Sequence, residues 1–450
     1  MLLKNTRYYW WLLVAYFQKH LLMLLGGLVL GFVVILGFTQ LTPKLSSKFL
    51  YKNEVIGMTG SYYPHTLPDE IRFLYTSPLI KLAADGELIP LLINSYETLD
   101  EQKRFRIHLK TNLIWSDKKP FVASDINFTI GGVKMNIIDK YTIDFILEKP
   151  LATFPVLLTR PLMRTAFVGI GGTHLVNKYV FNKNGYLESI SLLPNKNTQP
   201  AKIYRFYSNE EDLVAAYKMG RIKSFTTSDR MVFEELRSWK NTKIKREESF
   251  GQIMTLFFNN ATSFFQAREN RRALAQLVPN LVGFGVPAQG PIPPSSWAFN
   301  QDVKHLGPNT QRAMATLDSE TLASVSAPLV FYTFYENREV ASMIKAAFTQ
   351  AGIKVDLKLT PVTPNEYDML LAIWNPPIDP DQYFFWHSAQ KNTNFTQFSN
   401  AKVDLLLEEG RKVVTTQQRK LIYRDFQKAL VDEVPAHFLY YPYRYKIERR

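Results

Sequence analysis

Apolar and polar residues follow two different periods along the chain. Segments 105–109 (FRIHL) and 141–148 (YTIDFILE) alternate at every second residue, as half-buried strands do. Segment 210–220 (EEDLVAAYKMG) begins with acids, spaces its apolar residues helically and ends at a glycine. These segments predict strands and helices mixed along the chain.

The C-terminal part repeats this mixture. Segment 338–359 predicts a helix that stops near Gly352 and is followed by a strand, and segment 403–435 predicts a helical pair ending before Pro435. No short-period repeat is present. Because 450 residues exceed one usual domain, we expect an α/β protein with more than one lobe and more than one sheet.

The N-terminal part contains a long apolar run. It extends from Leu21 to Phe38 without a charge, and the following residues to Leu41 give it the length of a bilayer core. The run is long for a cleaved signal peptide and no convincing cleavage site follows it, so we expect an uncleaved anchor. Basic residues precede and follow it in nearly equal number, so charge alone does not orient the chain.

The net charge and the cysteine count narrow the function classes. The formal charge is +14, but the basic residues are scattered and form no stripe, so a solvated basic surface is favoured over nucleic-acid binding. The chain has no cysteine, which excludes thiol catalysis, disulfides and an acyl-cysteine anchor. Composition thus indicates a globular protein behind a membrane segment.

Sequence motifs for catalysis are missing. The histidines, among them His305 and His437, lie far apart and form no zinc-binding pair, and no nucleophile-elbow motif occurs. The glycine-rich stretch from Gly169 to Gly172 fits a tight turn rather than a phosphate loop. We therefore predict that the protein is not an enzyme, and we assign no cofactor and no metal ligand.

A candidate binding surface lies in the C-terminal half. A strand ending at Trp374 runs into a proline-rich loop with Asp379 and Pro380, and aromatic residues follow from Tyr383 to Trp386. Rigid loops at strand ends with aromatic rings are typical of small-ligand surfaces, although a packed corner between domains has the same pattern. Both interpretations stay open from the residues alone.

Several sequence blocks resemble those of one protein family and occur in the same order along the chain. The segment from Phe105 to Ile130 resembles a block of the form FxLRxGVxWxDGxPFTAxDV, and "LFFNNATSFFQARENRRALAQLV" is similar to LxFNxxxxPFxDxRVRQAL. The first block is matched by Phe105, Leu109, Trp115, Asp117, Pro120, Phe121 and Asp125. The ordered set, from about Ile89 to Tyr445, resembles the extracytoplasmic solute-binding proteins of peptide/nickel-type ABC importers, family 5.

The resemblance implies a two-lobed periplasmic-binding-protein-like fold of the peptide-binding class, with a small extra domain and one preceding transmembrane helix. Its implied divisions are 1–20 as a cytoplasmic or interfacial segment, 21–41 as the anchor, 42–52 as a tether, 53–258 as lobe I with a trimmed extra domain, 259–434 as lobe II and 435–450 as the return to lobe I. Trp115 is implied to organise a strand-turn-helix corner and is assigned no ligand contact.

The resemblance also implies a function. The domain would lie outside the cytoplasmic membrane with the N-terminus inside, capture a peptide or similar solute between the lobes, and serve an ABC permease. Peptides are commonly held in extended form by main-chain hydrogen bonds. The ligand-binding residues expected here are Trp374, Asn375, Asp379 and, from lobe I, Tyr62, with Asp379 shaping the loop.

One departure weakens the peptide assignment. Peptide-binding members often carry an acidic residue between the tryptophan and the Asp-Pro pair, where it meets the α-amine of the ligand. The corresponding residues, Asn375 to Ile378, contain no carboxylate. The alternatives are a structural or signalling ectodomain without transport, a hydrolase on a similar scaffold, and a nickel or haem binder.

Overall fold

The structure, a computed structural model, describes residues 10–32 except 13, 24 and 28, and residues 53–196, 198–317 and 327–450. The strands are β1 (Asn53–Thr59), β2 (Ile80–Leu82), β3 (Leu88–Pro90), β4 (Ile93–Leu99), β5 (Arg104–Leu109), β6 (Val133–Asp139), β7 (Thr142–Leu147), β8 (His174–Phe181), β9 (Leu187–Pro194), β10 (Ala201–Tyr207), β11 (Ser224–Thr227), β12 (Thr242–Glu248), β13 (Ile253–Phe258), β14 (Gly285–Pro287), β15 (Leu329–Phe334), β16 (Val355–Thr360), β17 (Met369–Trp374) and β18 (Ala436–Arg449). Among the described residues from 53 onward, the α-helices are α1 (Asp69–Tyr75), α2 (Glu210–Lys218), α3 (Arg230–Leu236), α4 (Ser263–Gln266), α5 (Arg268–Leu277), α6 (Thr310–Thr316), α7 (Arg338–Gln350), α8 (Tyr383–Trp386), α9 (Ala401–Lys412) and α10 (Thr416–Glu433).

The N-terminal residues that the structure describes are helical. Two segments, Trp10–Met23 and Leu25–Phe32, meet at an angle of 53°. Neither helix alone has the length and apolarity to cross a membrane, while the bent pair together meets that test by length and composition only. Residues 33–41 of the predicted anchor and the whole predicted tether, 42–52, lie outside the described residues.

Lobe I is built on a mixed sheet. In it β1 pairs in parallel with β10 and β11, β9 and β8 extend the sheet beyond β10, and β18 pairs antiparallel with β11 and β12. One face packs on a core that includes Tyr75 of α1, and the other face packs on a core that includes Tyr217 of α2. Helix α2 begins where the Asn209 side chain accepts a 2.8 Å hydrogen bond from Asp212 N–H, as N-caps do.

Lobe II is built on a second sheet. Strand β15 pairs in parallel with β16 and β17, and β17 pairs antiparallel with β13. Every residue of β13 is buried, because alternate side chains face two different cores. Helix α7 follows β15 and leads into β16; the helix and the strand after it are as the sequence predicts. Gly352 ends the helix with a φ of +83° that glycine adopts without strain.

The last strand joins the two sheets. The first half of β18 pairs with β13 and β14 of lobe II, and its second half, from Tyr443 to Arg449, pairs with β11 and β12 of lobe I. A second connection between the sheets is the short segment from β12 to β13. The predicted lobe limits, between residues 258 and 259 and between residues 434 and 435, remain predictions.

The extra domain has its own sheet and core. Its four strands pair antiparallel in the order β4-β5-β7-β6. Trp115 is 1% exposed in that core, and its Nε1–H donates a 2.8 Å hydrogen bond to Asp125. The same carboxylate accepts from Val122 N–H at 3.0 Å. The corner that the resemblance implies is present, but its helical part is a single 3-10 turn, Ala123–Asp125.

Candidate ligand-binding site

A cavity of about 940 Å³ lies against one face of the lobe I sheet. This volume is at the upper end of the usual range for small-ligand sites. Its lining comes mainly from β1, β10, β11 and the end of β18, with added residues from the loop after β1, from α1 and from the β12–β13 connection. The lining residues that matter below are Glu54, Tyr62, Glu70, Lys202, Tyr204, Lys223, Glu247, Gln252, Arg444, Lys446, Glu448 and Arg449.

The strand period explains why the wall of this cavity is charged. Tyr445 and Ile447 of β18 are buried in the core on the other face of the sheet. Arg444, Lys446 and Glu448 therefore point into the cavity, because side chains alternate across a strand. The cavity wall is thus the polar part of a sheet face whose apolar part packs on the core around Tyr75.

Tyr62 lies at the end of the cavity that follows β1. Its Oη donates a 2.8 Å hydrogen bond to Thr59 O, and its ring meets the Phe206 ring edge-on at 5.1 Å between centroids. Burial, and then the negative charge of Glu70, raise the pKa of Tyr62 above its ordinary value. Tyr62 therefore presents a neutral, oriented ring to the cavity.

Asn375 lies at the margin of the same cavity. It follows β17 directly, and Gln252, which lines the cavity, donates a 3.2 Å hydrogen bond from Nε2 to Asn375 Oδ1. Asn375 is exposed, while the neighbouring Trp374 is only 4% exposed and packs on Phe385 and Trp386. Tyr62 thus lines this cavity, and Asn375 is connected to it through the hydrogen bond from Gln252.

Trp374 and Asp379 lie in the interior of lobe II. The indole N–H of Trp374 is buried and has no partner in the part of the chain that the structure describes. Asp379, 6% exposed, accepts hydrogen bonds from both terminal nitrogens of Arg419 at 2.9 and 2.5 Å. A carboxylate used in this way shapes the loop, as the sequence analysis expects for Asp379. The assignment of Tyr62, Trp374, Asn375 and Asp379 to ligand binding stays a prediction.

The loop after Trp374 is anchored a second time. Asp381 accepts a 2.9 Å hydrogen bond from Arg411 Nε, and Asp381 N–H donates to Asp379 at 3.0 Å. Burial raises the pKa of the Asp381 carboxyl, against the opposing effect of Arg411. In the aromatic segment that follows, Trp386 is buried and Phe384 is exposed with Arg411 over its ring, so the segment forms a packed corner with one exposed ring.

Sequence reasoning missed the charged residues of the cavity wall. Glu70 and Arg444 line the cavity, yet neither belongs to a motif. The only signal was the alternation of charged and apolar residues from Tyr443 to Arg450, which predicts a strand with one polar face. Among the described residues, no group of three or more His, Cys, Asp or Glu side chains is placed to hold a metal ion.

Comparison with protein families decides the classification. Residues 87–396 match the model of the bacterial extracellular solute-binding proteins, family 5 (middle region), which covers more than half of the chain. The chain belongs to this family. Family 5 members are extracytoplasmic solute-binding proteins of the ABC-transporter type, and they bind solutes without transforming them.

The curated relatives are distant in sequence, and the solved structures that resemble this chain share its fold at low identity. The chain is 22% identical over 414 residues to the probable D,D-dipeptide-binding periplasmic protein DdpA of Escherichia coli K12. This alignment covers 78% of each chain. The oligopeptide-binding protein AppA from Bacillus subtilis, solved with a nonapeptide, is similar over 89% of this chain and 94% of its own, with 18% identity and a TM-score of 0.68. NikZ from Campylobacter jejuni, solved with Ni(L-His), is similar over 88% and 94%, with 20% identity and a TM-score of 0.68.

Proposed function

We propose that the protein is a membrane-anchored extracytoplasmic receptor that binds a peptide, or a similar small solute, in the cleft between its lobes for uptake by an ABC permease. The observation that carries this proposal is the polar cavity beside Gln252, the residue that connects the lobe I sheet with Asn375 of lobe II. A solute that contacts both lobes there favours the closed arrangement by its difference in affinity for the two states.

Relatives support a peptide as the solute class. The names of DdpA and of the Bacillus subtilis AppA refer to a dipeptide and to oligopeptides. NikZ was solved with a nickel–histidine complex, so the fold also accommodates small metal chelates. In this chain the side chain of Gln252 supplies hydrogen-bonding groups at the cavity and donates to Asn375, which suits an extended peptide.

Membrane anchoring is the other part of the proposal. The apolar run from Leu21 to Leu41 has the composition and length of a span, and its described residues are helical. A tether would hold the receptor close to its permease and raise its effective concentration there. Carbonate extraction of the full chain from membranes tests this: an anchored protein stays in the membrane pellet, and release into the supernatant would contradict it.

Ligand-dependent stabilisation tests the receptor function. The full chain in detergent is heated with libraries of short peptides and, separately, with nickel–histidine. A solute present at about 100 times its Kd stabilises the folded state by about 2.7 kcal/mol, so the melting temperature rises. Native mass spectrometry of the same sample identifies any solute that co-purifies.

A second candidate is a structural or signalling ectodomain without transport. The absence of a carboxylate from Asn375 to Ile378 favours it, because the amine of a peptide lacks its usual partner there. An empty protein whose melting temperature no solute changes would support this candidate and contradict the receptor.

A further inference from the structure

One end of the lobe I sheet collects basic side chains. Strands β1, β10, β11 and β12 all begin at this end, and β18 ends there, because β1 is parallel to β10 and β11 while β18 is antiparallel to β11 and β12. The exposed bases in the segments that begin or end at this point are Lys223, Lys240, Lys243 and Arg449. We call these four residues the basic end of lobe I.

Hydrogen bonds hold the segments of the basic end together. Lys223 Nζ donates to Asn53 O at 3.0 Å, and Arg449 N–H donates to Lys223 O at 2.9 Å. The turn before β12 is attached in the same way, since Arg450 N–H donates to Asn241 O at 3.0 Å. Bases that are scattered along the sequence are therefore brought to one place by the fold.

The charges of the basic end are not neutralised by carboxylates. Among the described residues, none of its four bases has a carboxylate oxygen within 4.0 Å. The acids near this end are paired with other bases: Glu54 with Lys202 at 3.0 Å, Glu448 with Lys446 at 2.5 Å, and Glu235 with Lys218. At the other end of the same sheet α2 begins with three acids, Glu210, Glu211 and Asp212. Lobe I thus presents unpaired bases at one end and the acidic first turn of α2 at the other.

An exposed tryptophan accompanies the basic end. Trp239, next to Lys240 in the turn before β12, is 39% exposed, and Lys218 Nζ lies 5.7 Å from its ring centroid. Met219, which follows Lys218 at the end of α2, is also exposed. Tryptophan is enriched at the headgroup level of membranes because its ring is apolar and its N–H is polar. Bases around exposed apolar side chains are the composition of a surface that binds anionic lipid headgroups.

The proposed anchor determines which end of lobe I lies near the bilayer. The eleven residues 42–52 connect Leu41, the last residue of the apolar run, with Asn53, the first residue of β1. Eleven residues span at most about 40 Å even when fully extended, so β1 begins within that distance of the membrane. Because Lys223 contacts Asn53 itself, the basic end is the part of lobe I that the anchor brings to the bilayer.

We propose that the basic end of lobe I, together with Trp239, docks on the anionic phospholipid headgroups of the membrane that anchors the chain. This inference rests on the anchoring proposed above and goes beyond solute binding, since it fixes how the receptor is oriented on its membrane. Each base close to an anionic surface strengthens binding about fivefold, while the acidic first turn of α2 is repelled.

Quenching of a single label by lipid tests the orientation. The chain has no cysteine, so Ser238→Cys at the basic end or Ser228→Cys at the other end of the sheet carries a bimane label at one defined place. The full chain is reconstituted in vesicles of phosphatidylcholine, alone or mixed in equal parts with phosphatidylglycerol, that contain lipid with a nitroxide headgroup. The label at residue 238 should be quenched severalfold more in the anionic vesicles, and the label at residue 228 equally in both. About 1 M salt, where the Debye length is about 3 Å, should remove the difference. Equal quenching at residue 238 in both kinds of vesicle, or stronger quenching at residue 228, overturns the inference.

Charge reversal assigns the docking to the basic end. Lys240→Glu combined with Lys243→Glu should lower the ratio of docked to undocked receptor in anionic vesicles at least about tenfold. The matched control, Lys304→Glu combined with Lys354→Glu, changes the net charge equally at exposed positions of lobe II and should keep the quenching of the parent chain. Unchanged quenching in the first double variant overturns the role of the basic end.

A separate measurement distinguishes this inference from the proposed function. Both double variants should keep the rise in melting temperature that a bound solute produces, so a failure of docking alone leaves the receptor function standing. A full chain that floats with neither kind of vesicle would overturn the docking and the anchor together.

Discussion

His437 is a titratable residue whose environment the sequence does not reveal. It lies on β18 and is 5% exposed, and its ring stacks on that of His305 with 5.7 Å between centroids. His305 in turn hydrogen-bonds through Nδ1 to Ala288 O at 2.7 Å. The two histidines are far apart in the chain and meet only because β18 runs beside the segment after β14. Local sequence patterns carry no information about such a pairing.

Burial makes the stability of the protein depend on pH at His437. Burial, with a smaller contribution from His305, lowers the pKa of His437 from 6.5 to about 3. Between these values the unfolded chain binds a proton that the folded chain does not, so stability is greatest above pH 6.5 and falls as the pH decreases. The loss from this one group is about 1.4 kcal/mol per pH unit.

Replacing His437 by leucine should therefore flatten the pH dependence. Urea unfolding of the wild type and of His437→Leu is compared at several values between pH 7.5 and 4.5, and the free energy of unfolding of the variant should decrease less steeply. The same substitution at exposed His65 controls for the loss of an imidazole. Identical slopes for the wild type and His437→Leu would contradict the burial of a neutral histidine.

At the scale of elements, helices and strands with a clear period were predictable and the loop after β17 was not. The helix from Arg338 and the helical pair that ends at Glu433 appear as the pattern predicts. The loop from Asn375 to Gln382 has no period of its own. Its shape is set by Arg411 of α9 and Arg419 of α10, which approach the loop only in the folded protein. The sequence could indicate that Asp379 orders this loop, but it could not indicate that Arg419 is the partner of Asp379.

Removing Arg419 should destabilise the protein strongly. Arg419→Met leaves the Asp379 carboxylate buried without its partner, which typically costs about 3–5 kcal/mol. Equilibrium denaturation measures the loss, and a second substitution, Asp379→Asn, should recover part of it because the buried charge is then removed. The control is Arg424→Met on the same helix, whose ion pair with Asp302 is exposed and is expected to contribute at most about 1 kcal/mol. Equal effects of Arg419→Met and Arg424→Met would show that the buried pair does not hold the loop.

At the scale of the whole molecule, the family resemblance implied the two-lobed fold, but not how β18 serves both sheets. Its partners β11, β12, β13 and β14 are distant in the chain, and strand pairing at such separations leaves no local pattern. The cavity has the same origin. Its wall combines β1 from the start of lobe I with the last residues of the chain, so neither segment alone indicates a binding site.

The extra domain and the neighbouring β2–β3 turn both contact lobe II. Ala152 N–H donates a 3.0 Å hydrogen bond to Arg411 O, and the turn between β2 and β3 lies against Trp297 and Thr416. At Gly86 in this turn, an added Cβ would lie 2.8 Å from Trp297 and 2.9 Å from Thr416. Because this φ is +89°, an alanine would also strain the backbone.

Gly86→Ala should therefore separate the extra domain from lobe II, and Gly185→Ala is its matched control. Gly185 has a similar φ of +81° and no atom within 4 Å of an added Cβ, so it shares the strain and lacks the clash. Hydrogen exchange of the full chain reports the contact, since the Ala152 amide is protected only while Arg411 accepts its hydrogen bond. We expect faster exchange at Ala152 in Gly86→Ala than in Gly185→Ala. If both variants exchange there at the same rate, the β2–β3 turn does not hold the extra domain against lobe II, and the hydrogen bond from Ala152 must be maintained by the rest of the fold.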